Sequence, residues 1–293
     1  MLHAYAILSA SMSADNQEFD TSLDMHSRVK DFVHFFDDNP GDAIDAIRKF
    51  SIKESQTSVA GSVDPSRLER EIILSARDVT KRYRVGKQDI EALKNINLNI
   101  YKGEIVALTG SSGSGKSTLL HILGCIDKPD GGEVILDGQN IIHLHDAALS
   151  DLRREKIGFV FQSFYLQPFL RLKDNLAVPA MFTSTQKHTI NDSVSSLLQT
   201  IGLENRAMHY PKELSGGQIQ RAAIARALIN HPRIIFADEP TGNLDSANSH
   251  SIMELFQSIR EQYGTTIVIV THDPEIASHA DRTIIIKDGE VVL

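Results

Sequence analysis

The nine residues "GSSGSGKST" at 110–118 restrict the possible folds of this chain more than any other stretch. They match G-x-x-x-x-G-K-[ST] from Gly110 to Ser117, and they lie between a short apolar strand pattern, "EIVALTG", and a helix pattern, "KSTLLHILGCI". A buried strand, a glycine turn and a helix in immediate succession open an α/β layer structure. Other segments agree. "RIIFADE" and "TTIVIVTH" are near-continuous apolar runs, suited to parallel strands covered on both faces, and the helical pattern "SANSHSIMELFQSIREQY" separates them. "IILSARDVTKRYRV" and "DIEALKNINLNIY" read as strands around a turn near Gly86, with "GEVILDG" and "IGFVF" as further strands. Helical segments fill much of 170–230, and "ADRTIIIKDGEVVL" reads as strand, Asp-Gly turn and strand. No internal repeat is present.

The glycine loop defines a nucleotide site. Gly110, Gly113 and Gly115 permit close backbone approach, and the N–H groups from Ser112 through Thr118 are expected to surround the phosphates, with Ser111 and Ser114 in the same loop. Lys116 would neutralise the β- and γ-phosphates, and Ser117 would offer its hydroxyl to Mg²⁺, a hard cation that prefers oxygen ligands. "IIFADE" ends an apolar strand in Asp238 and Glu239. Two carboxylates at such a strand end are costly unless paired or coordinated. In a P-loop protein Asp238 would hold Mg²⁺ from its second side, and Glu239 would polarise the attacking water. His272 ends another apolar strand, close to where a γ-phosphate would sit. Cys125, among apolar residues on the helix after the loop, reads as core. His143 and His145 have no accompanying ligand set and read as surface residues.

A second stretch raises a question. "LSGGQIQR" at 214–221 places two glycines after a serine at the head of a helix pattern, which also suits an anion. One nucleotide does not need two phosphate grips about a hundred residues apart.

Composition narrows the partners. With 30 Lys and Arg against 38 Asp and Glu, the net charge of −8 argues against a broad nucleic-acid footprint, and none is expected. One Cys in 293 residues excludes a disulfide framework and fits a reducing compartment. No apolar run approaches the roughly 18 residues needed to span a bilayer. The start lacks the basic residues of a signal peptide. The chain is therefore expected in the cytoplasm unless a partner brings it to a membrane. Residues 1–70 hold 12 acidic and 7 basic residues, so they carry much of the excess charge. "SRVKDFVHFF" and "GDAIDAIRKF" flank a "DDNPG" turn, and a polar linker over 51–66 follows. This region reads as an extension of two short helices or a disordered segment, with the nucleotide domain over 71–293.

Taken together, these motifs resemble the ATP-binding-cassette family, whose mark is a P-loop together with "LSGGQ". The resemblance covers roughly 72–293. It implies an α/β P-loop NTPase cassette: a mainly parallel core sheet, an antiparallel β subdomain and an inserted helical subdomain at about 163–228. It also implies ATP hydrolysis with Mg²⁺ and a head-to-tail dimer of two copies. There, Ser215, Gly216, Gly217 and Gln218 of one copy close over ATP held by the P-loop of the other, and Asp245 crosses the same interface. That arrangement answers the question of the two grips. The resemblance further implies that Tyr83 stacks on adenine, that Gln162 touches Mg²⁺ and water, and that His272 is a catalytic switch histidine.

"KIGFVFQSFYLQPFLRLKDNLAVP", "FADEPTGNLDS" and "VTHDPEIASHADR" look closest to the ATPases of lipoprotein-releasing, macrolide-exporter and antimicrobial-peptide-exporter systems. Such ATPases drive a separate membrane permease from the cytoplasmic face of the inner membrane. The apolar, aromatic stretch 163–180 reads as a partner surface. The extension over 1–70 and Ile219, where glutamine is common, depart from the pattern. A regulatory ATPase of a cell-division-type complex is the alternative, and a soluble cassette protein acting on ribosomes or DNA is a more distant one.

Overall fold

Near-continuous apolar strands must be covered on both faces, and the central sheet shows how. A computed structural model describes residues 71–292 apart from Lys87. The expected extension over 1–70 lies outside the described residues. The central sheet contains β3 (Ile105–Thr109), β6 (Ile157–Phe161), β7 (Ile234–Asp238), β8 (Thr266–Val270), β9 (Arg282–Lys287) and β10 (Glu290–Val292). Their order is β10-β9-β3-β8-β7-β6. The pairs β3–β8, β3–β9, β7–β8 and β6–β7 are parallel, and only β10 runs antiparallel to its neighbour.

Side chains alternate across this sheet with period two. Ile234, Phe236, Val268 and Val270 face one apolar cluster, and Ile235, Ala237, Ile267 and Ile269 face the other. The first cluster is closed by the second sheet and by α1 (Lys116–Leu123) and α2 (Asp146–Lys156). That second sheet joins β1 (Ile72–Val85), β2 (Gln88–Tyr101), β4 (Gly131–Leu136) and β5 (Gln139–Asn140) in the order β2-β1-β4-β5, all antiparallel. The other cluster is covered by α3 (Leu172–Ala177), α4 (Lys187–Thr200), α5 (Gly216–Leu228) and α6 (Ser246–Tyr263). A short helix, α7 (Pro274–Ser278), follows β8.

The architecture is thus the expected cassette: a mainly parallel sheet, an antiparallel β subdomain and helices between β6 and β7. Cys125 differs from expectation in place, though not in burial. The helix after the loop ends at Leu123, and Cys125 follows it with a left-handed backbone, φ 61°. Burial pushes its thiol up to about 12, which makes it a poor nucleophile. His145 is more than a surface residue: its ring accepts the Ala148 N–H and caps α2.

Candidate nucleotide-binding site

In parallel α/β sheets, ligands gather at the carboxyl ends of the strands. Here β3 delivers the glycine loop, β6 delivers Gln162, β7 delivers Asp238 and Glu239, and β8 leads to His272. A cleft of about 910 Å³ opens at this edge. Residues 110–113 and 115–118 line it, together with Glu239 and His272.

The loop conformation demands its glycines. Gly110 has φ 148° and Gly115 has φ 105°, and a Cβ on Gly115 would stand 2.5 Å from the Ala92 carbonyl. The Lys116 ammonium donates to the carbonyls of Gly110 (3.0 Å) and Ser111 (2.8 Å), which places the charge over the loop. The Ser114 hydroxyl is buried in this loop without a hydrogen-bond partner. An orphaned buried hydroxyl costs stability unless a bound group satisfies it. Together, the glycine cradle, the poised ammonium and this hydroxyl fit a polyphosphate.

The donor set beside the loop also fits a hard divalent ion. The Ser117 hydroxyl donates to Asp238 Oδ1 at 3.2 Å, so an alcohol and a carboxylate oxygen converge. Burial raises the Asp238 pKa, and neighbouring Glu239 adds to the rise; the Ser117 bond, His121 and Lys116 act in the opposite direction. Glu239 adopts a left-handed backbone, φ 45°, with its N–H bonded to the Val270 carbonyl at 3.0 Å. Its Oε1 lies 3.2 Å from His272 Nδ1. A carboxylate and an imidazole in contact beside a phosphate loop can orient water and manage its protons.

The other expected residues lie outside this cleft. Gln162 sits against Gly242, whose Cβ would stand 2.9 Å from Gln162 Nε2 and 3.4 Å from Glu239 Oε2. Tyr83 is on β1 and is not among the lining residues. Ser215, Gly216, Gly217, Gln218 and Asp245 are not among them either. Ser215 caps α5 by accepting the Gln218 N–H, and the Gln218 side chain accepts the Ser215 N–H in return at 2.9 Å. Asp245 caps α6, accepting the backbone and side-chain N–H groups of Asn248. A Cβ on Gly217 would collide with Asn248, so the starts of α5 and α6 abut.

Motif reading missed the far wall of the cleft: Ile90, Glu91, Ala92 and Lys94 of β2, with Asp288 and Gly289. These residues have no local signature. A bond from the Lys94 N–H to the Gly289 carbonyl at 2.8 Å joins the two segments.

The sheet, the glycine loop and the carboxylates at its edge define a P-loop nucleotide-binding protein. A model of the ABC transporter family matches residues 93–242. The chain is 46% identical over 221 residues to the ABC transporter ATP-binding protein YvrO of Bacillus subtilis strain 168, spanning 75% of this chain and 96% of YvrO. It is 47% identical over 220 residues to the macrolide export ATP-binding/permease protein MacB of Shigella flexneri, but that match spans 34% of MacB. Among solved structures, the dimeric post-hydrolysis ATP-binding cassette MJ0796 bound to ADP and Pi superposes with a TM-score of 0.70. It is 46% identical, over 75% of this chain and 97% of that one. This chain belongs to the ABC transporter family and is its ATP-binding, ATP-hydrolysing component.

Proposed function

We propose that two copies of this chain close head to tail on Mg-ATP and drive a separate membrane permease of the export type. The observation that carries the dimer is the division of the phosphate-binding parts. Within one chain the P-loop cleft contains no residue of Ser215–Gln218, while Ser215 and Gly216 are exposed at the N-terminus of α5. An exposed helix N-terminus favours an anion, and the partner copy's ATP supplies one. Asp245, beside it through Asn248, reaches the same interface.

In each site Lys116 and the N–H groups of the loop hold the β- and γ-phosphates. Ser117, Asp238 and Gln162 take Mg²⁺, which would offset charge on the phosphates. Glu239 orients the attacking water, with His272 fixing its carboxylate. Tyr83 receives the adenine.

The permease is proposed to seat beside the loop after Gln162. Tyr165, Phe169, Met181 and Phe182 are all more than 60% exposed. An apolar groove of about 620 Å³ lies beside them, lined by Phe159, Phe161, Tyr165, Phe182 and Arg226. Exposed apolar patches of this kind mark partner surfaces. Among the described residues no helix is long and apolar enough to cross a membrane. A permease partner would hold the chain at the cytoplasmic face of the inner membrane. Export as the direction rests on likeness to MacB.

Light scattering of Glu239→Gln with and without Mg-ATP tests the central claim. The variant keeps its shape, loses the water-orienting carboxylate and should double its mass with ATP. Ser215→Arg in that background should keep it monomeric, and Lys116→Ala should lose ATP binding itself. A mass independent of nucleotide would overturn the dimer.

A further inference from the structure

Tyr83 is anchored more firmly than a surface strand residue requires. Its ring is 37% exposed, yet its hydroxyl donates to Asp127 Oδ2 at 2.7 Å. The other Asp127 oxygen accepts from Lys81 Nζ at 2.9 Å and from the Lys128 N–H at 2.7 Å. Lys81 is buried, donates also to the Lys128 carbonyl at 2.6 Å, and places Nζ 5.2 Å from the centre of the Tyr83 ring. The next backbone N–H, at Arg82, donates to Asp130 Oδ2 at 2.6 Å. Two aspartates of the segment after α1 therefore tie that segment to β1. Thr118, which lines the phosphate cleft, also faces the Tyr83 oxygen.

The charges in this frame are consistent. Burial works against ionised Asp127, but the bonds from Lys81, Tyr83 and the Lys128 N–H outweigh it and hold the carboxyl below its usual range. Burial, then the Asp127 bond, pushes the Tyr83 hydroxyl up to about 12, so it remains a donor at neutral pH. A free tyrosine ring would lose rotamer freedom on stacking against a base, whereas a tethered ring has lost it already.

We propose that Asp127 is the positioning residue for base recognition: it holds Tyr83 as a preformed platform, with Lys81 over one face of the ring and the other face left for the adenine. The inference rests on the reading of Tyr83 as the base-stacking residue. Asp127 is not among the residues lining the phosphate cleft and acts through Tyr83.

The test uses the full chain, with KM and kcat for ATP and inhibition by inorganic tripolyphosphate, which has phosphates but no base. Tyr83→Phe keeps the ring and the Lys81–Asp127 pair and removes only the tether. It should raise KM roughly 3–10-fold, the cost of ordering one side chain, with kcat and tripolyphosphate inhibition unchanged. Asp127→Ala should do the same, the double variant should add nothing further, and Asp127→Asn, which keeps an acceptor oxygen, should stay near the parent. Equal loss of ATP and tripolyphosphate affinity in Asp127→Ala would show a general structural role and overturn the inference. So would an unchanged KM in Asp127→Ala and Tyr83→Phe while Tyr83→Ala raises it. If Tyr83→Ala leaves KM unchanged, the platform reading falls and the inference with it.

Discussion

Burial beneath the phosphate loop makes Asp238 reluctant to ionise, and the consequence can be measured. Its pKa in the folded protein lies above that in the unfolded chain, so the folded state binds more protons between the two values. Stability from this group is therefore present at low pH and lost as pH rises through that window. At neutral pH the folded chain bears the full cost of a half-buried charge. Asp238→Asn keeps an oxygen to accept from Ser117 and removes the charge. It should raise the melting temperature of the nucleotide-free protein at pH 7, with the gain fading toward pH about 4. Mg-ATP should then stabilise the parent far more than the variant. A melting temperature that falls at pH 7, in thermal scans across pH, would show that the charge is already compensated. Asp238 was legible in the sequence as a carboxylate ending an apolar strand. The half-buried His121 on α1 that faces it was not, because its proximity depends on how α1 crosses β7.

At the scale of elements, α5 joins two functional surfaces. Its N-terminus carries Ser215, and near its C-terminus the Arg226 guanidinium donates to the carbonyls of Phe164 (2.9 Å) and Tyr165 (2.5 Å). Those two residues follow Gln162 with left-handed backbones, φ 59° and 49°, a costly conformation for aromatic residues. Arg226 satisfies the carbonyls that this turn exposes. At the other end, Gly217 leaves room for the side chain of Asn248, whose amide also holds Asp245. Gly217→Ala should destabilise by about 1–3 kcal/mol through overpacking and displace the Asp245 cap. Truncating the obstacle, Gly217→Ala with Asn248→Ala, should recover much of that loss, a non-additivity that denaturant titration can measure. The "SGG" motif alone suggested an anion grip at these glycines. The tertiary packing adds a second reason for Gly217, the contact between α5 and α6.

Across the whole molecule, two predictions separate the nucleotide core from what attaches to it. Leu166 looked as suitable as its neighbours for the partner surface, but its side chain packs against the helical cluster, while Phe169 and Tyr165 face outward. Phe169→Glu should therefore leave ATP binding and thermal stability intact and reduce recruitment to membranes that contain the permease. Retained recruitment in a flotation assay would place the docking surface elsewhere. The second prediction concerns the boundary drawn near residue 70. β1 begins at Ile72, and every site residue named lies at or beyond Lys81. Deleting 1–66 should change the melting temperature and the ATPase rate little. A large drop in either would show that the preceding segment belongs to the core.

Local sequence determined the main strands, the P-loop and the carboxylate pair, because each depends on residue spacing within one element and its turn. The P-loop together with "LSGGQ" determined the family; α2 over Asp146–Lys156 and the short β5 had no reading of their own. The separate position of the second phosphate grip was legible only through the resemblance; geometry shows why, since nothing in "LSGGQ" states which cleft it faces. Tertiary structure alone decided the β2 wall of the cleft, the Asp127 tether of Tyr83, the Arg226 bonds to the loop after Gln162 and the contact of Gly217 with Asn248. Each of these joins residues from different elements. Sheet register and helix crossing set such meetings, and those follow from how two apolar clusters fill space rather than from any local pattern.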